Sequence, residues 1–159
     1  MKADMFLKLA PIKGDSVDAK HKDEIELSGI SWAITLPAAP ASSRGGMGRA
    51  DIEEIVLRKK VDAASPALHA HCCCGTAFAE ATIVKRKSGL VPLEYFKLTL
   101  KEVFISSVEL EIGGGHDSDD EVIKLRFTEF VEEFVPQKED GSAGGSVKHG
   151  YNAVKGIKI

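Results

Sequence analysis

The chain has 159 residues, of which 43% are hydrophobic and 28% are charged, and its formal net charge at pH 7 is −3. This length is typical of one domain, and the apolar fraction is too high for a disordered chain. No apolar run approaches the roughly 20 residues of a transmembrane helix, and the mixed charge argues against nucleic-acid binding driven by counterion release. We therefore predict one domain, residues 1–159, that makes no contact with nucleic acid and does not insert directly into a membrane.

The first part of the chain alternates between apolar and polar residues, which predicts β-strands. Residues 5–9 predict a short strand, and residues 25–35 predict a second one after a polar loop. The second strand has a bulky face and a face of small residues, and the small face consists of Gly29, Ser31 and Ala33. Residues 37–49 are rich in Pro, Ala, Ser and Gly, and a loop of this length is usually functional or disordered.

One helix and several further strands are predicted in the rest of the chain. Residues 52–61 predict a strand, and residues 66–74 predict a helix with Ser65 as N-cap and Gly75 as C-cap. Strands follow at 82–87, 95–100, 103–112 and 122–135, where a phase change suggests a β-bulge. About eight strands and one short helix predict a mainly β fold, an antiparallel barrel of two packed sheets with a flanking helix.

The residues best suited to chemistry are the histidines and cysteines of the predicted helix. His69 shares a helix face with Cys72 and Cys73, and His71 pairs with Cys74. Zinc sites need four convergent ligands, and adjacent helical cysteines diverge by about 100°. An odd, clustered set of thiols is also no disulfide framework, so we expect reduced structural thiols and leave a nucleophilic cysteine open as an alternative.

Other polar segments match no known site pattern. The acidic segment 116–121 lacks the ligand spacing of an EF-hand loop, and the glycine-rich segment 44–49 lacks the Lys-Ser/Thr end of a P-loop. The neighbouring glutamates at 53–54 and 132–133 point to opposite faces of their strands. We therefore predict no catalytic residues, no metal ligands and no cofactor.

Short segments spread along the chain resemble the Hcp family, the haemolysin co-regulated proteins of the bacterial type VI secretion system. They run in order and with plausible spacing: DMFLKL (4–9), IKGDS (12–16), HKDEI (21–25), SW (31–32), VDAASP (61–66), LKEV (100–103), ISSV (105–108), VPQK (135–138), DGS (140–142) and GYN (150–152). Tyr151 stands where the family commonly has Trp, and the loop 37–49 is unusual in its Pro and Ala content.

The resemblance implies a two-sheet β-barrel with one flanking helix, which agrees with the strand pattern. It also implies a structural protein rather than an enzyme, one that forms a head-to-tail homo-hexamer whose rings stack into a hollow tube. The implied partners are a contractile sheath around the tube, a VgrG-like spike protein at its tip and effector proteins in its lumen. The tube would be made in the bacterial cytoplasm and secreted without a cleaved signal peptide, which fits an N-terminus with no long hydrophobic region.

Two surfaces are candidates for this assembly. The small residues Gly29, Ser31 and Ala33 are candidates for the lumen wall, although alternation alone also allows them to pack under a neighbouring strand or loop. The loop residues Ser42, Ser43, Arg44, Gly45, Gly46, Met47, Gly48 and Arg49 are candidates for ring-to-ring contact. The alternative functions are a monomeric β-barrel that binds a small ligand and an enzyme that uses the His/Cys cluster.

Overall fold

The computed structural model describes residues 4–38, 49–114 and 118–159. These ranges contain β1 (Met5–Lys8), β2 (Ile25–Glu26), β3 (Gly29–Ser31), β4 (Ile34–Thr35), β5 (Asp51–Ile52), β6 (Ile55–Lys60), α1 (Ser65–Cys74), β7 (Phe78–Lys87), β8 (Leu93–Ile112), β9 (Asp119–Arg126), β10 (Glu129–Phe134), β11 (Val147–Asn152) and β12 (Ile157–Lys158). In the described ranges, no helix has the length and apolar character needed to span a membrane.

The strands form two antiparallel sheets that share β8. The first sheet has the order β12-β11-β10-β8-β7-β1-β2, and the second has the order β3-β6-β9-β8. The N-terminal half of β8 pairs with β7 and β10, and its C-terminal half pairs with β9. A separate two-stranded ribbon joins β4 to β5. The predicted class is confirmed as mainly β with two sheets and one helix, although the ladder of the described strands is open between β12 and β2.

Strand β8 changes from one sheet to the other near its middle. Its residue Glu102 has a φ of 52°, a value that bends an L-residue backbone out of the strand conformation. The Thr128 amide donates a hydrogen bond to the carbonyl of Lys101 at 3.1 Å, so the bend is supported from the start of β10. The prediction of separate strands at 95–100 and 103–112 is therefore wrong, because the interruption is a bend within one 20-residue strand.

The core lies between the inward faces of the two sheets. Its fully buried side chains are those of Leu7, Leu9, Ile25, Ile55, Leu57, Leu68, Ala81, Ile83, Leu98, Leu100, Val103, Ile123 and Leu125. Burying a side chain of the size of leucine stabilises the fold by about 1.5–3 kcal/mol. Trp32 covers one side of this core with its ring edge-on to Phe127 and Phe130, and its indole N–H donates to the Glu53 carbonyl at 2.9 Å.

Two long predicted strands are divided where the chain passes between the sheets. The stretch 25–35 forms β2, β3 and β4, because the Leu27 amide bonds to Met5 of the first sheet while the Ser28 amide bonds to Arg58 of the second. The stretch 122–135 forms β9 in the second sheet and β10 in the first, separated at Phe127 and Thr128. The predicted phase change therefore marks a change of sheet and not a bulge.

The helix has the predicted end but a different start. Gly75 ends it with a φ of 61°, and its amide donates to the Cys72 carbonyl at 3.3 Å. Ser65 is the first helical residue, the N-cap is Ala64, and no side chain caps the helix. The prediction of a Ser65 N-cap is wrong, because its hydroxyl is used in a buried hydrogen bond to Glu121.

Candidate functional site

The predicted lumen residues Gly29 and Ser31 lie on the outward face of the second sheet. They alternate with Ile30, which is paired with the buried Leu57 and packs against the core. Across the sheet, Gly29 is in register with Arg58, Val122 and Glu109, and Ser31 is in register with Val56, Lys124 and Ser107. The sheet therefore offers an outward face that mixes small, apolar and charged side chains.

These three residues differ in how far the rest of the chain covers them. Ser31 and Ala33 are exposed, whereas Gly29 is half-buried. A Cβ at Gly29 would lie 3.7 Å from Cδ of Arg58, an ordinary contact distance. Ala33 lies beyond the end of β3, and its carbonyl accepts the Glu53 amide at 3.1 Å. In the single chain, Ser31 and Ala33 are thus open to solvent.

Two pairs of opposite charges lie on the outward face of the second sheet. Lys60 and Asp120 form an exposed ion pair at 2.5 Å. Glu54 accepts hydrogen bonds from the Ser106 hydroxyl at 2.8 Å and from Arg126 at 3.0 Å. Partial burial raises the pKa of Glu54, but these two donors outweigh it and hold the pKa below its ordinary value. Each of these two pairs joins an acidic and a basic side chain, so the pairs add no net charge to the face.

The predicted ring-stacking residues Ser42, Ser43, Arg44, Gly45, Gly46, Met47 and Gly48 lie outside the described residues. The last residue of that prediction, Arg49, is described. Its Nη2 donates to the Ala153 carbonyl at 2.8 Å and to the Val154 carbonyl at 3.2 Å. The C-terminal end of the loop is thereby attached to the turn between β11 and β12.

A buried group of polar side chains connects the helix to the ends of β6 and β9, and we call it the helix cluster: Lys59, Asp62, Ser65, His69 and Glu121. Lys59 Nζ lies 2.6 Å from Glu121 Oε2, 2.8 Å from Asp62 Oδ1 and 3.1 Å from Ser65 Oγ. The Ser65 hydroxyl donates to Glu121 Oε2 at 2.6 Å, and His69 Nε2 lies 2.7 Å from Glu121 Oε1.

The helix cluster resembles a catalytic arrangement in composition but not in accessibility. The side chains of Lys59 and Glu121 are both 0% exposed, and each is already paired with the other. A paired, inaccessible lysine and carboxylate anchor the helix and leave no group free to react with a substrate. The sequence indicates that both side chains are buried. Lys59 lies on the same, buried face of β6 as Ile55 and Leu57, and Glu121 lies on the same, buried face of β9 as Ile123.

A second group of charges holds the loop 13–24 against the first sheet, and we call it the loop cluster: Asp18, His21, Glu24, Arg86 and Glu94. His21 Nδ1 contacts Glu24, and Nε2 lies 2.7 Å from Glu94 Oε1. The ring of His21 stacks on Phe6 at 4.4 Å, and the Arg86 guanidinium lies over the same Phe6 ring and contacts Asp18. Both ring nitrogens of His21 therefore face glutamates.

The cysteines lie at the C-terminal end of α1 and are all free thiols. The ring of His69 is bonded to Glu121, and His71 Nδ1 lies 2.8 Å from the Thr76 hydroxyl. Among the described residues, no group of three or more His, Cys, Asp or Glu side chains is arranged to hold a metal ion. Catalytic thiolates are typically stabilised at the positive, N-terminal end of a helix, whereas these thiols lie at the negative end.

The family model described as "Type VI secretion system effector, Hcp" matches residues 6–134 of the chain. The chain belongs to the Hcp family. The Pseudomonas aeruginosa protein hcp1 is 34% identical over 163 residues, which cover 99% of each protein. The crystal structure of Hcp1 from Salmonella typhimurium has a TM-score of 0.84 at 30% identity and is covered in full by the full chain.

A third relative extends the structural similarity. A structure described as that of a type six secretion system protein has a TM-score of 0.90 at 26% identity, covering 99% of this chain and 100% of the other. The resemblance stated from the short sequence segments is therefore confirmed. Hcp is a secreted structural protein of the type VI secretion system and is not a known enzyme family.

Proposed function

We propose that this chain is the inner-tube subunit of a type VI secretion system, which forms hexameric rings that stack into a hollow tube and carry effectors in the lumen. Membership of the Hcp family carries the proposal. The proposed partners are six copies per ring, a contractile sheath, a VgrG-like spike protein and effector proteins. Assembly in the bacterial cytoplasm and export without a cleaved signal peptide belong to the same proposal.

Head-to-tail stacking is supported by exposed apolar side chains at opposite ends of the first sheet. At one end, which we call the hairpin end, Leu90, Val91, Phe134 and Val147 are exposed. At the other, which we call the terminal end, Val154 and Ile157 are exposed next to the turn held by Arg49. A head-to-tail contact joins two different surfaces, and exposed apolar patches mark interfaces. The two ends of β10 and β11 supply such surfaces.

The first test is the native mass in solution by light scattering after gel filtration. We expect a species near six times the chain mass of 17.1 kDa. A monomer over a wide concentration range would contradict intrinsic ring formation and would favour the alternative of a monomeric barrel that binds a small ligand. Zinc content and thiol reactivity with loss of a measured activity in Cys73→Ser would be needed to support the enzyme alternative.

Stacking is tested separately from ring formation. The double variant Leu90→Glu with Val91→Glu places charges at the hairpin end, and Val17→Glu is the matched control, since Val17 is 91% exposed in the loop 13–24. We expect the double variant to form hexamers but not tubes in electron micrographs, while the control forms both. Tubes of normal length in the double variant would exclude the hairpin end from stacking.

The loop at 42–49 is the second stacking candidate. Replacing residues 42–48 by a short flexible linker, with Arg49 retained, should leave hexamers and remove stacking. Normal tubes in this variant would exclude the loop. Because the loop and the hairpin end are tested by different variants, each result stands by itself.

The lumen assignment of Gly29, Ser31 and Ala33 is tested through cargo. Ser31→Gln adds a longer side chain to the outward face of the second sheet, and Lys97→Gln is a control on the exposed face of the first sheet. We expect Ser31→Gln to form rings with reduced retention of a co-expressed effector, and Lys97→Gln to retain it normally. Equal retention in both variants would place the cargo surface elsewhere.

A further inference from the structure

The three consecutive cysteines differ in their surroundings although they are neighbours in sequence. Cys72 continues the buried face of α1 that contains Ser65 and Leu68, and it packs against the hydrophobic core. Cys73 and Cys74 are exposed. The fold therefore covers part of one thiol and leaves two exposed to solvent.

The backbone prevents these thiols from forming a disulfide with one another. Consecutive Cα atoms are about 3.8 Å apart, below the roughly 4.4–6.8 Å that disulfides span. Cys72 and Cys74 are separated by two helical positions, or about 200° around the helix axis, so they point to opposite sides. All three cysteines lie in the last turn of the helix, which ends at Gly75 directly after Cys74. A disulfide formed by the folded chain must therefore use a sulfur from another molecule.

The segment that carries the exposed thiols has room for an added group and contains no charged residue of its own. A Cβ at Gly75 would find no atom within 4 Å, and the neighbouring Ala70 and Ala77 are exposed small residues. Residues 66–79 contain no Asp, Glu, Lys or Arg. His71 Nδ1 lies 2.8 Å from the Thr76 hydroxyl, which holds the chain after the helix close to its last turn.

We propose that Cys73 and Cys74 form a site of S-thiolation by low-molecular-weight disulfides of the glutathione class, and that the half-buried Cys72 reacts more slowly. The thiolate sulfur of Cys73 or Cys74 attacks one sulfur of the small disulfide, whose S–S bond breaks as the protein–S bond forms. The other half leaves as a thiolate and takes up a proton from water. The protein thiol is oxidised and the small disulfide is reduced.

The modification changes the charge of this end of the helix. A glutathionyl group brings two carboxylates and one ammonium group, so each adduct adds a net negative charge to an uncharged segment. Any surface that contacts the uncharged helix end will meet a negative charge after modification, which disfavours an apolar or acidic partner. The site acts as a redox-dependent charge switch, and this inference does not depend on the proposed tube function.

The test treats the purified, folded protein with oxidised glutathione at mildly alkaline pH and measures intact mass and peptide maps. We expect adducts at Cys73 and Cys74 first, and a slower adduct at Cys72 whose rate rises after unfolding in urea. In the folded state, Cys72 should react about tenfold more slowly, because the core covers part of its side chain.

Single Cys→Ser variants show which cysteine carries each adduct. Cys73→Ser and Cys74→Ser should each take one rapid adduct when folded, and Cys72→Ser should still take two. If Cys72→Ser does not fold, peptide mapping of the unsubstituted chain gives the same assignment. The proposal is overturned by an intrachain disulfide, by equal reactivity of all three thiols, by cross-linked chains in place of adducts, or by no adduct in the folded state.

Discussion

The helix cluster and the loop cluster attach two different parts of the chain to the sheets, and they differ in how their buried charges are satisfied. Each contains one partly exposed side chain, His69 at 37% and Glu94 at 38%. In the helix cluster, the side chains of Lys59 and Glu121 are fully buried and paired with each other, whereas the buried Nε of Arg86 in the loop cluster has no hydrogen-bond partner within the described residues. We therefore expect the helix to belong to the cooperative core and the loop to open by itself.

The largest loss of stability is expected when the carboxylate of Glu121 is removed. Glu121→Ala leaves the Lys59 ammonium buried without its main partner, and breaking a buried ion pair in this way costs about 3–5 kcal/mol. We expect a loss of this size in the free energy of unfolding measured in urea. Asp120→Ala is the matched control on the adjacent position, where the pair with Lys60 is exposed and its loss should cost at most about 1 kcal/mol. Similar losses in the two variants would contradict the buried role of Glu121.

Acid should lower the free energy of unfolding by protonating Glu121. Burial raises the pKa of Glu121, but the hydrogen bonds from Lys59, Ser65 and His69 outweigh burial and lower the pKa below its ordinary value. A depressed folded-state pKa means that Glu121 contributes stability above its unfolded pKa of about 4.3 and that this contribution is lost as the pH falls through the folded pKa. The urea midpoint should fall with acidification in the unsubstituted chain and more shallowly in Glu121→Gln. Parallel pH profiles would count against this assignment.

A substitution in the loop cluster should destabilise the loop 13–24 and leave the sheets nearly unchanged. Arg86→Met keeps an apolar stem over Phe6 but removes the contact with Asp18 and the charge that lies 4.9 Å from the ring centroid. We expect amide hydrogen exchange in residues 13–24 to rise by about tenfold to a hundredfold, which corresponds to about 1.4–2.8 kcal/mol of local stability. Exchange in β8 and β9 should change much less.

The control for this experiment is Lys101→Met, which removes an exposed pair with Glu80. It should leave exchange in residues 13–24 unchanged. If Arg86→Met instead accelerates exchange throughout both sheets, the loop is part of the cooperative core and the two clusters are equivalent.

The smallest expected effect lies at the other end of the helix. Gly75→Ala introduces a side chain into open space, so the cost arises from the φ of 61° alone. A residue with a Cβ in this conformation costs about 1 kcal/mol. The matched control is Gly145→Ala, where a Cβ also meets no atom within 4 Å but φ is not positive. The difference between the two variants in melting temperature isolates the cost of the positive φ. Equal melting temperatures would show that the helix end bears no backbone constraint.

Sequence alternation predicted most of the strands but not where the chain changes sheets. At Leu27 and Ser28, successive amides bond to different sheets, and the apolar pattern continues because both sheets face the same core. At Glu102 the pattern is interrupted although the strand continues. Period-two patterns report which face a residue occupies, and they carry no information about which strand is its neighbour.

The candidate surfaces were predictable to different extents. Alternation placed Gly29 and Ser31 on one face but left open whether that face is outward, and the charged neighbours Arg58 and Glu109 required the register of three strand pairs. In the sequence, the helix cluster is visible only as charged residues at strand positions that are otherwise apolar. Its members are up to 62 residues apart. The partners of such charges are fixed by packing over long sequence separations, which a single sequence does not show.

The shared strand β8 also bears on how the two sheets move. Since its two halves are hydrogen-bonded into different sheets, the sheets cannot slide past each other without shearing the ladders of β7 and β10 or of β9. Force applied to one sheet is carried into the other along covalent bonds as well as across the core. Under the proposed tube function, we therefore expect the two sheets of a subunit to move together when the tube is pushed.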